Sequence, residues 1–146
     1  MDALDIRMLE LLQNDGRITI SHLSKKLSLS RPSISERLHR LQESGIIQGF
    51  SAQVSPAAVG RTILLFIQIS QLQVNHREFE VIIKNNPLIL ECHRVTGPVS
   101  YFIKAAVSSM DGLQKLVDQL IPFGNINTSI VLSSPVYYRP IFPEAD

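Results

Sequence analysis

Apolar residues in the first third of the chain recur every three or four positions, which is the spacing of amphipathic helices. The first such stripe consists of Ile6, Met8, Leu9, Leu11 and Leu12. Asp2 or Asp5 can cap this helix, because a carboxylate accepts hydrogen bonds from the free N–H groups of a first turn. The run Asn14-Asp15-Gly16 predicts its end.

A second, shorter helix is predicted from about Thr19, a favourable N-cap residue. Its apolar positions are Ile20, Leu23 and Leu27. The segment Ser28-Leu29-Ser30 then leaves only three or four residues before the next helical pattern begins. This close spacing of two helices is typical of a helix-turn-helix unit.

Residues 30–47 contain the third helical pattern. Ser30 suits the cap, and Pro32 suits the first turn because no N–H is needed there. Ile34, Leu38 and Leu41 form one narrow apolar stripe, and Gly45 ends the helix. The opposite side and its flanks carry Pro32, Ser33, Ser35, Glu36, Arg37, His39 and Arg40. The pattern fits a helix in the major groove of DNA, and equally an ordinary surface helix.

Three amphipathic helices of this size can close a small hydrophobic core. The predicted core consists of Ile6, Leu9, Leu12, Leu23, Leu27, Ile34, Leu38 and Leu41. Because these residues account for the apolar side of each helix, the polar face of the third helix is expected to stay free for a partner.

After Gly45 the pattern becomes short and β-like over residues 46–54, and Pro56 and Gly60 follow. These features predict a wing-like strand and then a linker. We therefore predict three segments, a helix-turn-helix domain (residues 1–50), a hinge (residues 51–61) and a second domain (residues 62–146).

Strands and helices alternate in the second domain. Asn85-Asn86-Pro87 stops a helix, and Gly97-Pro98 turns the chain between two strands. The predicted strands cover residues 62–70, 88–96, 100–107 and 127–133, and the predicted helices cover residues 77–84 and 110–120. The order βαββαβ is that of a ferredoxin-like sandwich. The whole chain is predicted to be an α+β protein, with a winged-helix-like helical domain followed by this ferredoxin-like domain.

Both faces of the predicted sheet are apolar. In the first strand Ile63 and Leu65 alternate with Leu64 and Phe66, and the third strand repeats the pattern. Two helices cover only one face of such a sheet. The second face is therefore expected to be buried against another copy of the chain, in a homodimer or a larger ring.

Composition adds limits on location and class. The chain has 146 residues, of which 45% are hydrophobic and 18% are charged, as in soluble globular proteins. No apolar run approaches the roughly 18 residues of a membrane span, and the N-terminus is acidic where a signal peptide is basic. With Cys92 as the only cysteine, a reducing compartment and a cytoplasmic location are expected, with no membrane partner.

The net charge of +1 conceals a local excess of positive charge. Between Gly16 and Gln42 there is a single acid, Glu36, against six basic residues. These are Arg17, Lys25, Lys26, Arg31, Arg37 and Arg40. A basic helical segment is the expected footprint of contacts with nucleic-acid phosphates, although a solvated charged face produces the same composition.

Nothing in the sequence points to catalysis, a metal or a cofactor, so the chain is not expected to be an enzyme. The four histidines fall on different predicted elements, and Cys92 and His93 point to opposite faces of a strand. The seven glycines form no phosphate-binding loop. The alternative to a DNA-binding regulator is an assembly protein whose helical domain binds another protein.

Several segments together resemble the Lrp/AsnC (feast/famine) family of transcriptional regulators. They are LDIRMLELLQNDGRI, HLSKKLSLSRPSISERLHRLQESGIIQGF, ECHRVTG with the following Tyr101, and SIVLSSPV. The resemblance covers nearly the whole chain. It implies an N-terminal helix-turn-helix domain that binds double-stranded DNA, and a βαββαβ domain that dimerises, often assembles to octamers, and binds amino acids at its interfaces.

The resemblance places the family's recognition helix on residues 31–41. The implied DNA-binding residues are Lys25, Lys26, Arg31, Ser33, Ser35, Arg37 and Arg40. Arg37 and Arg40 can pair with guanine edges or with phosphates, whereas Lys25 and Lys26 are expected to contact the backbone.

The family's effector turn, which carries two acids in related members, aligns with residues 96–101. Here the turn reads Thr96, Gly97, Pro98, Val99, Ser100 and Tyr101, and both acids are missing. An amino-acid ammonium would then have only neutral acceptors, which bind it more weakly. Met110 aligns with another effector-responsive position. The alternatives are that residues 97–98 form a simple hairpin turn and that Met110 only packs.

Overall fold

The computed structural model describes residues 1–143, which form two compact units. The first unit contains Met1–Gln53 together with residues 136–143, and the second contains Val54–Pro135. The break thus lies inside the predicted hinge. The last segment groups with the first unit, whereas the sequence assigned it to the second.

Three helices form the first unit, as the sequence predicted. They are α1 (Ala3–Asn14), α2 (Ile20–Leu27) and α3 (Arg31–Glu43). Asp2, Thr19 and Ser30 cap them, each through a side-chain oxygen that accepts a backbone N–H of the first turn. Asp5 completes a capping box by accepting the N–H of Asp2. Each helix therefore begins where local chemistry satisfies its free donors.

The short connection between α2 and α3 consists of residues 28–30. Ser28 adopts a left-handed conformation with φ of 54°, which ends α2 sharply. The buried core of the unit contains Met8, Leu9, Leu12, Leu23, Leu27, Ile34 and Leu41. It matches the prediction closely, except that Met8 is buried where Ile6 was expected and Leu38 is only half-buried.

The wing-like strand predicted over residues 46–54 is not formed, so that prediction was wrong. Gly45, at φ 73°, turns the chain back, and the N–H of Ile47 donates to the carbonyl of Leu41 at 3.0 Å. Residues 48–54 then have no neighbouring strand to pair with. Although the composition of this segment favours a strand, its backbone forms no β-ladder, and the segment stays irregular.

The second unit has the predicted order of strands and helices. After a 3₁₀ turn (Ala57–Val59), the elements are β1 (Ile63–Ser70), α4 (His76–Lys84), β2 (Ile89–Arg94), β3 (Val99–Val107), α5 (Met110–Leu120), the 3₁₀ turn Ile121–Phe123 and β4 (Asn125–Ile130). The sheet order is β2-β3-β1-β4, and every neighbouring pair is antiparallel. This is the ferredoxin-like topology.

The bounds of β4 differ most from the prediction, since the strand begins at Asn125 and ends at Ile130. Pairing with β1 decides both ends, from Ser70 opposite Asn125 to Leu65 opposite Ile130. Gly124 permits the early start, because a Cβ there would lie 2.6 Å from the carbonyl oxygen of Ser70.

Both helices of the second unit cover one face of the sheet. Phe79 of α4 and Leu116 of α5 are buried there with Ile67 and Ile103 of the central strands. The other face of the sheet is called the open face below. It carries Phe66, which is 42% exposed, and the other side chains of β1 and β3 that alternate with the buried ones. Within residues 1–143, no helix is long and apolar enough to cross a membrane.

Candidate nucleic-acid interface and effector region

Five of the predicted DNA-binding residues, among them Arg40, lie exposed on α2 and α3. Lys25 and Lys26 occupy the last turn of α2, and Ser35 lies on the outer side of α3. Arg31, at the start of α3, donates to the hydroxyl of Ser21 at 3.0 Å, so the two helices are also linked by their polar side chains. Lys25, Lys26 and Arg31 thus lie exposed on either side of the short connection between α2 and α3, and we call them the basic surface.

Ser33 is placed differently, because its backbone N–H takes part in the cap of α3. That N–H donates to Ser30 Oγ at 3.3 Å, and the Ser33 side chain is half-buried. Its assignment as a DNA contact stays a prediction.

Arg37 and Arg40 both contact the carboxylate of Asp5 on α1. Arg37 Nη1 lies 2.7 Å from Asp5 Oδ1 and 2.7 Å from Asp2 Oδ2, and its side chain is 19% exposed. Arg40 Nη2 donates to both oxygens of Asp5 at 3.1 Å, and its side chain is 59% exposed. Arg37 therefore anchors α3 to α1, whereas Arg40 keeps donors facing outward.

Asp5 is the residue of this site that the sequence reasoning missed, because its only expected role was that of a cap. It is 2% exposed, beside Met8, Leu9 and Leu12. The sequence does contain a signal, since positions 5, 8, 9 and 12 share one helix face and Asp5 is the only acid on it. A buried acid in an apolar stripe requires a cationic partner, which α3 supplies.

The electrostatics of this cluster favour the charged forms. Burial by itself raises the pKa of Asp5, but hydrogen bonds from the Asp2 backbone and from the Arg37 guanidinium outweigh burial and hold that pKa below its ordinary value. The hydrogen bond from Arg37 also lowers the pKa of Asp2, and the two carboxylates raise the pKa of Arg37. The cluster is thus charged at neutral pH, and it fixes the orientation of α3.

The predicted effector turn is a tight hairpin between β2 and β3. Gly97 has φ of 103°, and the N–H of Val95 donates to the carbonyl of Ser100 at 3.1 Å. Thr96, Gly97 and Pro98 are exposed, while Val99 and Ser100 are half-buried. Met110 is 58% exposed at the start of α5, beyond the opposite end of β3, so a single chain does not bring it to the turn.

Tyr101 points away from the turn and lies under α4. It is 1% exposed, and its hydroxyl donates to Glu80 Oε1 at 2.9 Å. His76 Nδ1 lies 2.9 Å from the hydroxyl oxygen of Tyr101. Burial and the neighbouring Glu80 carboxylate raise the pKa of Tyr101 to about 12. The sequence reasoning missed His76 and Glu80, although their i, i+4 spacing places both on one side of a helix.

No group of three or more His, Cys, Asp or Glu side chains within residues 1–143 is arranged to hold a metal ion. Cys92 faces the same side of the sheet as Ile103, and His93 lies opposite Phe102, so the two side chains point to opposite faces as predicted.

A helix-turn-helix with a basic surface, followed by a ferredoxin-like domain, defines a two-domain DNA-binding regulator. Comparison with known families agrees. The profile of the AsnC-type helix-turn-helix domain matches residues 1–42, and that of the Lrp/AsnC ligand binding domain matches residues 64–141. The chain belongs to the Lrp/AsnC family of transcriptional regulators, which confirms the resemblance seen in the sequence.

Individual relatives support the same assignment. The chain is 33% identical over 134 residues to YezC, an uncharacterized HTH-type transcriptional regulator of Bacillus subtilis, covering 92% of this chain and 95% of that protein. The structure of Escherichia coli AsnC matches with a TM-score of 0.87 and 30% identity, covering 98% of this chain and 99% of that one. The regulator NMB0573 of Neisseria meningitidis, crystallised as a complex with L-methionine, matches with a TM-score of 0.89 and 27% identity over 97% and 96% of the two chains.

Proposed function

We propose that this regulator binds operator DNA by inserting α3 into the major groove, as a homodimer or as an octamer built from dimers, and that an amino acid modulates its assembly or its affinity for DNA. The observation that supports the proposal most strongly is the basic surface of the helix-turn-helix. Lys25, Lys26 and Arg31 are exposed there together, where α2 and α3 meet. Such a surface suits the phosphates that flank a major groove.

Within this proposal the two kinds of DNA contact are divided between different residues. Lys25, Lys26 and Arg31 neutralise phosphates and set the position of the domain. Ser35 and the outward donors of Arg40 reach base edges in the groove. Arg37 supports them by holding α3 in place, because its guanidinium already pairs with Asp2 and Asp5.

Binding to an operator fragment is expected to weaken steeply as salt rises. Each neutralised phosphate contributes about −0.9 to the slope of log K against log salt on duplex DNA. Replacing Lys26 by glutamine should reduce the magnitude of that slope by about 1. The measurement is a fluorescence-anisotropy titration at several salt concentrations. A shallow slope for the unaltered protein would instead favour a helical domain that binds another protein.

Arg40→Ala is expected to weaken operator binding by about 1–3 kcal/mol, because a guanidinium that reads a base loses its bidentate hydrogen bonds. The loss should be larger on the operator than on unrelated DNA of the same length. Arg7→Ala removes the same charge from an exposed position of α1 and serves as the control. If Arg40→Ala binds every DNA sequence as tightly as the unaltered protein does, Arg40 does not contact the bases of the operator.

The open face of the sheet supports the proposed homodimer. Phe66 and Phe102 are 42% and 38% exposed on neighbouring central strands, and Leu64 beside them is half-buried. Two exposed phenylalanines on neighbouring strands of one face form an apolar patch of the kind that a partner covers. A second copy of the same face, related by a two-fold axis, would cover them.

The amino-acid effector is proposed from the ligand-binding domain of the family and from the L-methionine complex of the related NMB0573 protein. An effector that binds two assemblies with different affinity shifts the population between them. We propose no catalytic activity for this chain. The Tyr101 hydroxyl, which lies 2.9 Å from His76 Nδ1 on α4, belongs to a side chain that is only 1% exposed.

A further inference from the structure

The hinge that the sequence predicted over residues 51–61 is ordered in its second half. The N–H of Arg61 donates to the carbonyl of Pro56 at 2.8 Å, and the N–H of Gly60 donates to the carbonyl of Ala57 at 3.1 Å. Gly60 is left-handed, with φ of 85°. Together these bonds define a Schellman turn, in which the residues that follow a short helix satisfy its last carbonyls. We call residues 56–61 the hinge turn.

The side chain of Arg61 attaches the hinge turn to the loop between α4 and β2. Arg61 Nη1 donates to the carbonyl of Pro87 in that loop at 2.8 Å. A hydrogen bond from a charged donor is stronger than one between neutral groups. The backbone of Arg61 thus closes the hinge turn, and its guanidinium fixes the turn to the second unit.

The carbonyl of Pro87 belongs to a loop that other hydrogen bonds hold in place. Asn86 Oδ1 accepts the N–H of Leu88 at 3.0 Å, and Asn86 Nδ2 donates to Gln119 Oε1 of α5 at 3.3 Å. The carbonyl of Leu88 accepts the N–H of Ala106 of β3 at 3.0 Å. The acceptor of the guanidinium therefore has a defined position, because its loop is bonded to α5 and to the sheet.

The contact between Arg61 and Pro87 lies outside the buried core of the second unit. Arg61 is half-buried, Pro87 is exposed, and the bond between them is exposed to water. Water competes for both groups of such a bond, so its loss costs less than the loss of a buried one. Removing the guanidinium is therefore expected to release the hinge turn and to leave the sheet folded.

We propose that Arg61 is a positioning residue for operator recognition. By fixing the hinge turn to the loop between α4 and β2, it sets the direction in which the hinge enters the second unit. The movable part of the hinge is then limited to residues 48–55, which have no regular secondary structure. A short movable segment reaches fewer arrangements than a long one, so this limit decides which spacing of two operator half-sites a dimer accepts. The inference rests on the proposed binding of a dimer to DNA.

The test compares the affinity of the full-length protein for two DNA duplexes. The first is an operator that the unaltered protein selects from random sequences, and the second has about 5 extra base pairs between the half-sites, half a turn of DNA. The ratio of the two affinities is called the spacing penalty. The unaltered protein should show a penalty of about tenfold or more, because the half-sites then face different sides of the DNA. Arg61→Ala should reduce it to about threefold or less, since the released turn lengthens the movable segment.

Three further variants separate positioning from charge. Asn86→Ala removes the bonds that hold the loop without changing any charge, and it should reduce the spacing penalty as Arg61→Ala does. Arg61→Lys keeps a cationic donor and should restore most of the penalty. Arg77→Ala removes the same kind of side chain from an exposed position of α4 and should keep the full penalty.

Hydrogen exchange followed by mass spectrometry tests the local part of the inference without DNA. In Arg61→Ala the amides of residues 59–61 are expected to exchange about tenfold faster than in the unaltered protein, because local opening of the turn becomes easier. Unchanged exchange would show that the guanidinium does not hold the hinge turn.

Two results on DNA would overturn the inference while the proposed function stands. One is the same spacing penalty in Arg61→Ala as in the unaltered protein. The other is an equal loss of affinity on both duplexes that Arg61→Lys restores, which would make Arg61 a phosphate contact. If the unaltered protein selects no duplex at all, the proposed function itself fails, and the role of Arg61 in it fails as well.

Discussion

Asp5→Ala is expected to destabilise the helix-turn-helix unit by about 3 kcal/mol, the lower end of the range for breaking a buried ion pair. Asp5 is 2% exposed, and it accepts from both Arg37 and Arg40. Its removal leaves two guanidinium groups without their shared acceptor. Asp2, which still pairs with Arg37, and the partial exposure of both arginines limit the loss. Urea unfolding followed by helical circular dichroism measures the change.

The difference in unfolding free energy between Asp5→Ala and the unaltered protein is expected to depend on pH. Because the pKa of Asp5 is lowered in the folded chain, its contribution is fully present above the ordinary value of 3.8 and is lost as pH falls through the folded pKa. The stability gap between Asp5→Ala and the unaltered protein should therefore be constant near neutrality and shrink in acid. Glu36→Ala, on the exposed side of α3, is the charge-matched control and should change stability by less than about 0.5 kcal/mol. A gap no larger than that of the control would show that Asp5 does not anchor α3.

Loss of Asp5 should also weaken operator binding, although this residue does not face the groove. Arg37 and Arg40 set the orientation of α3 through Asp5, and a recognition helix reads bases only within a narrow geometry. This effect separates Asp5 from a residue that matters for folding alone. Under conditions where Asp5→Ala remains folded, its affinity should fall on the operator more than on unrelated DNA.

Phe102→Glu is expected to dissociate the proposed homodimer, raising its dissociation constant by at least about 100-fold, or ~3 kcal/mol. Phe102 lies on the central strand β3, where a two-fold axis would bury it against the same face of a second chain. Its cross-strand neighbours are Gln68 and His93, so the introduced carboxylate has no fixed cation opposite it. Burying an unpaired carboxylate costs several kcal/mol, and the two-fold symmetry introduces it twice.

Sedimentation velocity measures this prediction directly, since the mass of the chain is 16.3 kDa and a dimer doubles it. Val81→Glu is the matched control, because it places the same charge on α4 at a position that is 59% exposed. The control should keep the dimer. If Phe102→Glu keeps the mass of the unaltered protein, the open face is not the dimer contact.

Local sequence patterns predicted the helices well because the residues that cap and end each helix lie next to it in the sequence. Asp2, Thr19 and Ser30 cap helices at the predicted positions, and Gly45 ends the third. Strand bounds were less accurate, because a strand extends only as far as its partner. β4 ends at Ile130, where its pairing with β1 stops, although its apolar pattern continues. The wing-like strand failed for the same reason, since residues 48–54 pair with no strand in the part of the chain that the structure describes.

The sequence by itself determined the class of this protein. Helical spacing, the short link between α2 and α3, the local basic charge and the βαββαβ order are encoded in neighbouring residues, and each is readable without knowing the fold. These features were enough for a helix-turn-helix domain followed by a ferredoxin-like domain, and the resemblance of several sequence segments indicated the family.

Only the tertiary structure decided which side chains act together. Arg37 and Asp5 are 32 residues apart, yet their pairing makes Arg37, a predicted DNA contact, also an anchor of α3. Glu80 and Arg94 meet Tyr101 only because β2 and β3 pair beneath α4. The contact of the C-terminal tail with α1 also depends on the tertiary structure. Gln13 Nε2 donates to the carbonyl of Ile141 at 2.7 Å, and Gln13 Oε1 accepts the N–H of Ile141 at 2.9 Å, although 128 residues separate the two. Charge and hydrogen bonding act over a few ångströms in space, and the spacing of residues along a chain does not record which of them come that close.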